Sequence, residues 1–391
     1  MAGTTGGRKR KRSGSIAAAA AGYIPEHLVQ RILLLLPSRS VLRFRAVCKA
    51  WRNFFSDPKF ALEHHRLQPD LPLVSILRND TKELRTVDYC VKALDLRTGD
   101  FRYVARFTGA DTSCLTIHGS CDGLLLLSYE SSLYVCNPAT HQCTRIGTPS
   151  YSSYFVAFYR HDSTGEYRAL LCRGYGSDRN FYILVAGSGG RTIGRLPIPS
   201  EEDGYNFRSA IPSGVVAVLL RGNLHWPPEP WYNHRILVLN TATEVFRWMD
   251  PPPVTREHMP VIEMEGKLAI LSCGEDVTVV ELWLLEDYEK QVWVCKYQVE
   301  LSALDISTMP DLHSEYYYEG WLRFFMSEGR VAVVTPQQRL LVSDMNGNLQ
   351  ERFRCYGSLL RITQYTLKES LVRHAFFNNS EDESLPIFQG L

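Results

Sequence analysis

The segment Ser120–Thr140, SCDGLLLLSYESSLYVCNPAT, holds the pattern from which the architecture follows. Gly123 leads a strand, Leu124 to Leu127, a second short apolar strand follows, and the segment breaks at Asn137-Pro138. Asn at the first position of a turn can bond its own turn backbone, and Pro138 presets the next dihedral. Similar turns recur as NTAT at Asn240 and DMNG at Asp344, at spacings of 103 and 104 residues. Halving that interval points to AGSGGR around Gly187 and LEDYEK around Asp287, and DLRTG at Asp95 adds one upstream. The strands that follow often carry aromatics, as in DFRYVARF, EVFRWMD, KQVWVCKYQV and QERFRC. Four of the turns are preceded by a glycine-led strand, at Gly123, Gly222, Gly266 and Gly329. A period of about fifty residues, several strands per unit and little helix predict a mainly β chain, with a propeller of about six blades over residues 70–377.

Upstream of this the texture is helical. Pro25 suits a first helical position and Glu26 the positive end of the dipole. Leu28, Val29, Ile32, Leu33, Leu35 and Leu36 follow, and Pro37 ends the element. Ser38 or Ser40 caps a second helix bearing Val41, Leu42 and Phe44. In RAVCKAWRNFF, Arg45–Phe55, helical spacing puts Val47, Cys48, Trp51, Phe54 and Phe55 on one stripe of a third. DPKF then restarts the chain with Asp57 as a cap and Pro58 at the first position. A unit of under forty residues (23–60) rarely stabilises itself. Yet Ile32 to Leu36 is apolar around most of the helix circumference, more than one internal seam uses. The surplus predicts that a second polypeptide covers part of this module.

Residues 24–60, IPEHLVQRILLLLPSRSVLRFRAVCKAWRNFFSDPKF, closely resemble an F-box, the three-helix module that docks onto the Skp-family adaptor of cullin-RING ubiquitin ligases. The matching features occur in order: Ile24-Pro25-Glu26, Leu28, Ile32, Leu36-Pro37, Leu42, Val47-Cys48-Lys49, Trp51, Asp57-Pro58 and Phe60. Ile24 departs mildly, since the family often has Leu there. The resemblance implies that Pro25, Leu28, Ile32, Leu36, Pro37, Leu42, Val47, Cys48 and Trp51 form the adaptor interface or the packing behind it. Residues 70–375 resemble the plant-type F-box-associated domain, on Ser120–Thr140 and on GNLHW…ILVLNTATEVFRW, Gly222–Trp248. The two resemblances together imply the substrate-recognition subunit of an SCF-type ligase. Such a subunit has no catalytic residues and no cofactor; it binds a Skp-family adaptor, through it a cullin scaffold, and a target protein unknown from sequence.

Charge agrees with a two-part molecule. Residues 1–60 sum to +10, leaving −9 for the remainder of a chain whose net charge is +1. A basic head on an acidic body favours an acidic partner for the head. Reading the head as a DNA-binding helix pair fails on Trp51 and Phe54, which leave few polar base-reading side chains. No apolar run approaches the roughly 18 residues that span a bilayer, so neither membrane nor nucleic acid is expected. Residues 1–22 read as a disordered leader whose basic run Arg8, Lys9, Arg10, Lys11 and Arg12 is a nuclear-import candidate, with action in nucleus or cytoplasm. The helical module is expected over residues 23–67 and an acidic, flexible tail over 378–391.

Little points to chemistry. Ten scattered cysteines without a CxxC pair read as reduced thiols. Cys114, His118, Cys121, Cys136, His141 and Cys143 cluster in sequence, but their spacing does not match a zinc knuckle, so no metal is expected. GSGGRTIG, Gly187–Gly194, lacks the Lys-Ser or Lys-Thr of a phosphate loop. No GxSxG or HExxH occurs, and the chain reads as a non-enzyme. Two aromatic-rich loops offer target-binding candidates: Trp231 and Tyr232 in HWPPEPWYNH, and Tyr316, Tyr317 and Tyr318 in SEYYYEGW. Trp226 reads as core. The competing functions are a peptide- or glycan-binding propeller outside any ligase, and a metal-dependent propeller enzyme.

Overall fold

The computed structural model describes residues 3, 24–81, 86–96, 98, 100, 101–110, 115–129, 131–148, 153–173, 180–192, 215–228, 234–254, 259–273, 279–300, 323–327, 330–334, 339–344, 349–354, 360–379 and 387–389. The amino-terminal module has four helices: α1 (Glu26–Leu34), α2 (Ser38–Phe44), α3 (Lys49–Phe54) and α4 (Pro58–Leu67). Pro25 is the residue before α1, and its carbonyl accepts the N–H groups of Leu28 and Val29 at 2.9 and 3.2 Å. The restart at DPKF is the start of α4: the Asp57 Oδ1 accepts the Lys59 N–H at 2.9 Å, with Pro58 in the first turn. α3 is shorter than the stripe predicts. Cys48 has extended backbone, φ −155° and ψ 165°, so Val47 and Cys48 precede the helix and do not lie on its face.

The rest is β-structure. The first sheet takes β1 (Leu71–Thr81), β2 (Thr86–Leu94) and β3 (Phe101–Ala110). The second is β4 (Thr116–Cys121), β5 (Leu124–Tyr129), β6 (Ser132–Asn137) and β7 (Gln142–Gly147). The third is β8 (Ser153–Arg160), β9 (Tyr167–Arg173), β10 (Asn180–Val185) and β11 (Gly189–Thr192). The fourth is β12 (Val218–Leu220), β13 (Asn223–His225), β14 (Ile236–Asn240) and β15 (Val245–Met249). The fifth is β16 (Val261–Met264), β17 (Lys267–Cys273), β18 (Val279–Asp287) and β19 (Val292–Glu300). The sixth is β20 (Arg323–Ser327), β21 (Arg330–Val334), β22 (Arg339–Asp344) and β23 (Leu349–Arg354). Each of the four-stranded sheets is an antiparallel meander in chain order.

β24 (Leu360–Leu367) returns to the first sheet and pairs with β1, Leu71 opposite Leu367, so early and late segments of the chain are hydrogen-bonded into one blade. First strands of successive sheets lie side by side, β24 with β4 and β4 with β8, as they do around a propeller axis. Leu124 to Leu127 shows why the strands are apolar on both faces. Leu125 and Leu127 enter the core shared with the first sheet, and Leu124 and Leu126 enter the core shared with the third. Ile236 and Val238 likewise face the fifth sheet while Leu237 and Leu239 face the third. Alternate side chains point to opposite faces, and each blade is covered on both. Trp226 is fully buried in the core between the third and fourth sheets.

Every turn expected at Asp95, Asn137, Gly187, Asn240, Asp287 and Asp344 falls between the last two meander strands of a sheet. The glycine-led strands at Gly123, Gly222 and Gly266 follow two-residue turns whose central residues both have positive φ, Asp122-Gly123, Arg221-Gly222 and Glu265-Gly266. Three further expectations need correction. Neither Ser38 nor Ser40 caps α2: Pro37 holds the cap position, and the Ser38 N–H donates to the Glu369 Oε2. Cys136 and Cys143, opposite each other on β6 and β7, are joined as a disulfide instead of standing as free thiols, because the hairpin brings their Cα atoms within 4.0 Å. The carboxy-terminal segment is not tail throughout: Ile387–Gln389 forms β25 on the outer edge of β3, with Phe388 opposite Phe107.

Candidate docking face on the helical module

α1 carries two apolar stripes with different fates. Val29, Leu33 and Leu36 turn inward to a core built with Val41, Phe55, Phe60 and Ala61, and completed by Ala139 and Leu371 from the propeller. Ile24, Leu28, Ile32 and Leu35 recur at spacings of four, four and three on the other side, and they remain 55%, 44%, 51% and 60% exposed. Val47, 64% exposed, and the exposed Cys48 add to this surface from the segment before α3. Single exposed apolar side chains are ordinary on a protein surface; a row of four along one helix is not. Exposed Arg31 lies three residues after Leu28 and four before Leu35, on the same side of the helix, and exposed Arg39, Arg43, Lys49 and Arg52 follow on α2 and α3, none of them in an ion pair among the described residues. Burial and the neighbouring Arg373 and Arg52 push the Arg45 guanidinium down from its usual range. The face is greasy and its surroundings are basic.

The stripe is held in place by α4. The last carbonyls of a helix lack intrahelical donors, and here side chains supply them. His64 Nε2–H donates to the Leu36 carbonyl at 2.8 Å, and Gln68 Nε2–H donates to the Leu34 carbonyl at 3.1 Å. Burial pushes the His64 imidazole below its usual range, which keeps it neutral. The aromatic load of the third helix closes the inner side. Trp51 meets Phe44 and Phe55 edge-on at 5.3 and 5.8 Å, and Phe60 lies 5.0 Å from Phe54 and 5.2 Å from Phe55.

The nine residues drawn from the sequence therefore divide. Leu28, Ile32, Val47 and Cys48 are on the exposed face. Leu36, Leu42 and Trp51 pack on the module's core, and Pro25 and Pro37 set the helix starts. Ile24 and Leu35 belong with the exposed set. The signal for both was in the spacing, one helical turn before Leu28 and one after Ile32. Trp231, Tyr232, Tyr316, Tyr317, Tyr318 and the run Arg8 to Arg12 lie outside the described residues. Among the described residues no cluster of His, Cys, Asp and Glu could hold a metal. His118 instead stacks on Phe155 at 4.7 Å and bonds Ser128 Oγ at 2.7 Å.

Comparison with known proteins returns the same two parts. The profile of the F-box domain matches residues 23–62, and that of the F-box associated beta propeller domain matches residues 100–314. An F-box/kelch-repeat protein of Arabidopsis thaliana is 24% identical over 284 residues, covering 70% of this chain and 65% of that protein. Two Arabidopsis thaliana F-box proteins are each 24% identical, one over 305 residues (72% and 80% of the two chains) and one over 311 residues (71% and 72%). The chain thus spans slightly less than two thirds of the first relative's length. Among solved structures, a chain of a nidogen/laminin complex aligns with a TM-score of 0.39 at 12% identity, over 72% of this chain and 93% of its own.

Proposed function

The chain belongs to the F-box-associated β-propeller family, and on that premise we propose that it is the substrate-recognition subunit of an SCF-type, cullin-RING ubiquitin ligase. In this reading the helical module binds a Skp-family adaptor and the propeller holds the target protein. The observation that carries the reading is the row Ile24, Leu28, Ile32 and Leu35, left open on a module whose other face is already sealed. A helix face of this kind fits an apolar groove on a partner, and the basic surround favours an acidic one. The subunit would contribute proximity and orientation, with ubiquitin chemistry carried by other subunits.

Topology suggests where the target binds. In an antiparallel meander the first and third turns share one end of the blade and the second turn opens at the other. The helical module sits at the first-and-third-turn end of the second sheet, against Asp122 and Ala139. The strand ends at His225 and Ile236, and at Glu300 and Arg323, belong to the opposite end. Those ends bound the connections that carry Trp231, Tyr232 and Tyr316 to Tyr318, which we assign to the target on that ground. The basic run Arg8 to Arg12 supports action in the nucleus as well as the cytoplasm.

The test is co-purification with a Skp-family adaptor. Leu28→Asp and Ile32→Asp should abolish capture while leaving the melting temperature within a few degrees, since both side chains are exposed in the free protein. Leu36→Asp should instead destabilise the module by several kcal/mol, because its side chain packs on the inner core and a carboxylate there has no partner. Capture of Ile32→Asp at wild-type level would remove the adaptor assignment.

A further inference from the structure

The chain comes back to the helical module long after leaving it. Once β24 has closed the first sheet, Lys368 to Phe377 runs as a strap between α-helices and propeller. Glu369 is buried, and its Oε2 accepts the Ser38 N–H at 2.6 Å across 331 residues of sequence. Its carbonyl accepts His65 Nδ1–H at 2.9 Å, and the His65 Nε2 faces Asp122 at 3.9 Å. Beneath the strap, Asn137 Nδ2–H donates to the Ser370 and Val372 carbonyls at 3.1 and 3.4 Å. Leu371 enters the module's core beside Leu33, Phe55 and Phe60. Phe377 enters the core between the second and third sheets. The strap thus touches the helical module and two blades at once.

Its seating leaves no play. Gly123 has φ +81°, and a Cβ there would stand 2.4 Å from the Ser370 Cβ and 2.7 Å from the Lys368 carbonyl oxygen. Two domains in one chain ordinarily move relative to each other unless their contact is extensive and apolar. Here the contact combines a shared apolar core with the buried Glu369 side chain, and swivelling the module would break the Glu369–Ser38 bond and withdraw Leu371 from the module's core. Losing a buried hydrogen bond and uncovering apolar surface are both disfavoured, so one orientation prevails.

We propose that Lys368–Phe377 is a positioning element, keyed by Glu369, that fixes the exposed stripe of α1 at one angle to the propeller. Its use rests on the ligase reading: a target carried by the propeller would then meet the transferring enzyme at one distance. Its geometry does not rest on that reading, and the test separates the two. Spin labels at Arg31→Cys and Lys290→Cys, in a chain with exposed Cys48 and Cys295 replaced by Ser, report the distance between α1 and the fifth sheet. The wild-type distribution should be narrow. Glu369→Gln should keep it so, because the amide oxygen still accepts the Ser38 N–H. Glu369→Ala should broaden it roughly twofold or more, as expected when a domain contact loosens, while the propeller still melts in one transition. Should Glu369→Ala fail to fold, Leu371→Ala carries the same expectation without unpairing a buried group. A distribution as narrow in these Ala variants as in wild type overturns the proposal. Adaptor capture by the wild type, with Arg31 and Cys48 native, is read alongside. Loss of adaptor binding by the wild type would sink the ligase reading and leave the distance result standing.

Discussion

His118 and His225 are held as neutral rings by their surroundings. His225 Nδ1–H donates to the Val218 carbonyl at 3.2 Å, which leaves Nε2 to accept the Tyr288 hydroxyl at 2.7 Å. Arg247 Nη2–H donates to the same hydroxyl at 2.9 Å, and the chain of bonds joins the fourth sheet to the turn after β18. Burial first, with Arg247 alongside, lowers the His225 pKa to about 4. Burial against Phe155 lowers His118 to about 4 as well. In the unfolded chain both return to about 6.5. Above that pH both states are neutral and titration adds nothing. As pH falls from 6.5 toward 4 the unfolded chain takes up protons that the fold refuses, so stability drops, by about 3 kcal/mol for each ring. Unfolding free energies from urea titrations over this window should fall with a slope that His118→Gln reduces by about 1.4 kcal/mol per pH unit. An unchanged slope would mean that His118 is already charged in the fold. Nothing in sequence marked this role. His118 stood out there only as a neighbour of cysteines, because burial on both sides of a strand depends on blades brought together from distant segments.

Turns are the elements the sequence showed most plainly, because their chemistry is local. Asn137, Asn240 and Asp287 each accept backbone N–H groups two and three residues on, from Ala139 and Thr140, Ala242 and Thr243, Glu289 and Lys290. Each is followed four residues later by a positive-φ residue, His141, Glu244 and Gln291. The same turn repeated in three sheets is what makes a period of about fifty residues readable. Helix faces were readable only in part. The apolar surplus on α1 followed from composition and its two stripes from spacing, but which stripe would be covered, that of Leu33 and Leu36 or that of Ile32 and Leu35, depended on the strap and α4, which arrive from elsewhere in the chain. The glycines of the first turns separate local from long-range demands. Gly266, φ +74°, has no neighbouring atom within 4 Å of where a Cβ would stand, so Gly266→Ala should cost only the left-handed backbone penalty, about 1–2 kcal/mol. Gly123→Ala carries that penalty and also collides with Ser370 and the Lys368 carbonyl, so it should cost distinctly more. Chemical denaturation of the two variants checks the order; equal losses would show that the strap yields easily at Ser370.

Between blades and helices, ring closure and presentation of the docking face are one event. β24 lies innermost in the first sheet, with Val74 opposite Ile362 and the Thr363 hydroxyl donating to the Leu73 carbonyl at 2.9 Å. The residues that follow it supply Glu369 to Ser38 and Leu371 to the core under α1. Removing residues 360–391 therefore takes away the closing strand and one wall of the helical module together, although the module's own sequence is untouched. A module of this size gains too little from its own core to compensate. The truncated chain should lose its single cooperative melt and, with it, adaptor capture. Removing residues 380–391 is the matched control. It costs β25, which among the described residues pairs only with Arg106 to Thr108 on an outer edge, and leaves closure and strap in place. That chain should still melt in one transition and still be captured. The contrast separates a dependent module from an autonomous one: an autonomous module would be captured equally from both truncations, because residues 24–67 are identical in the two.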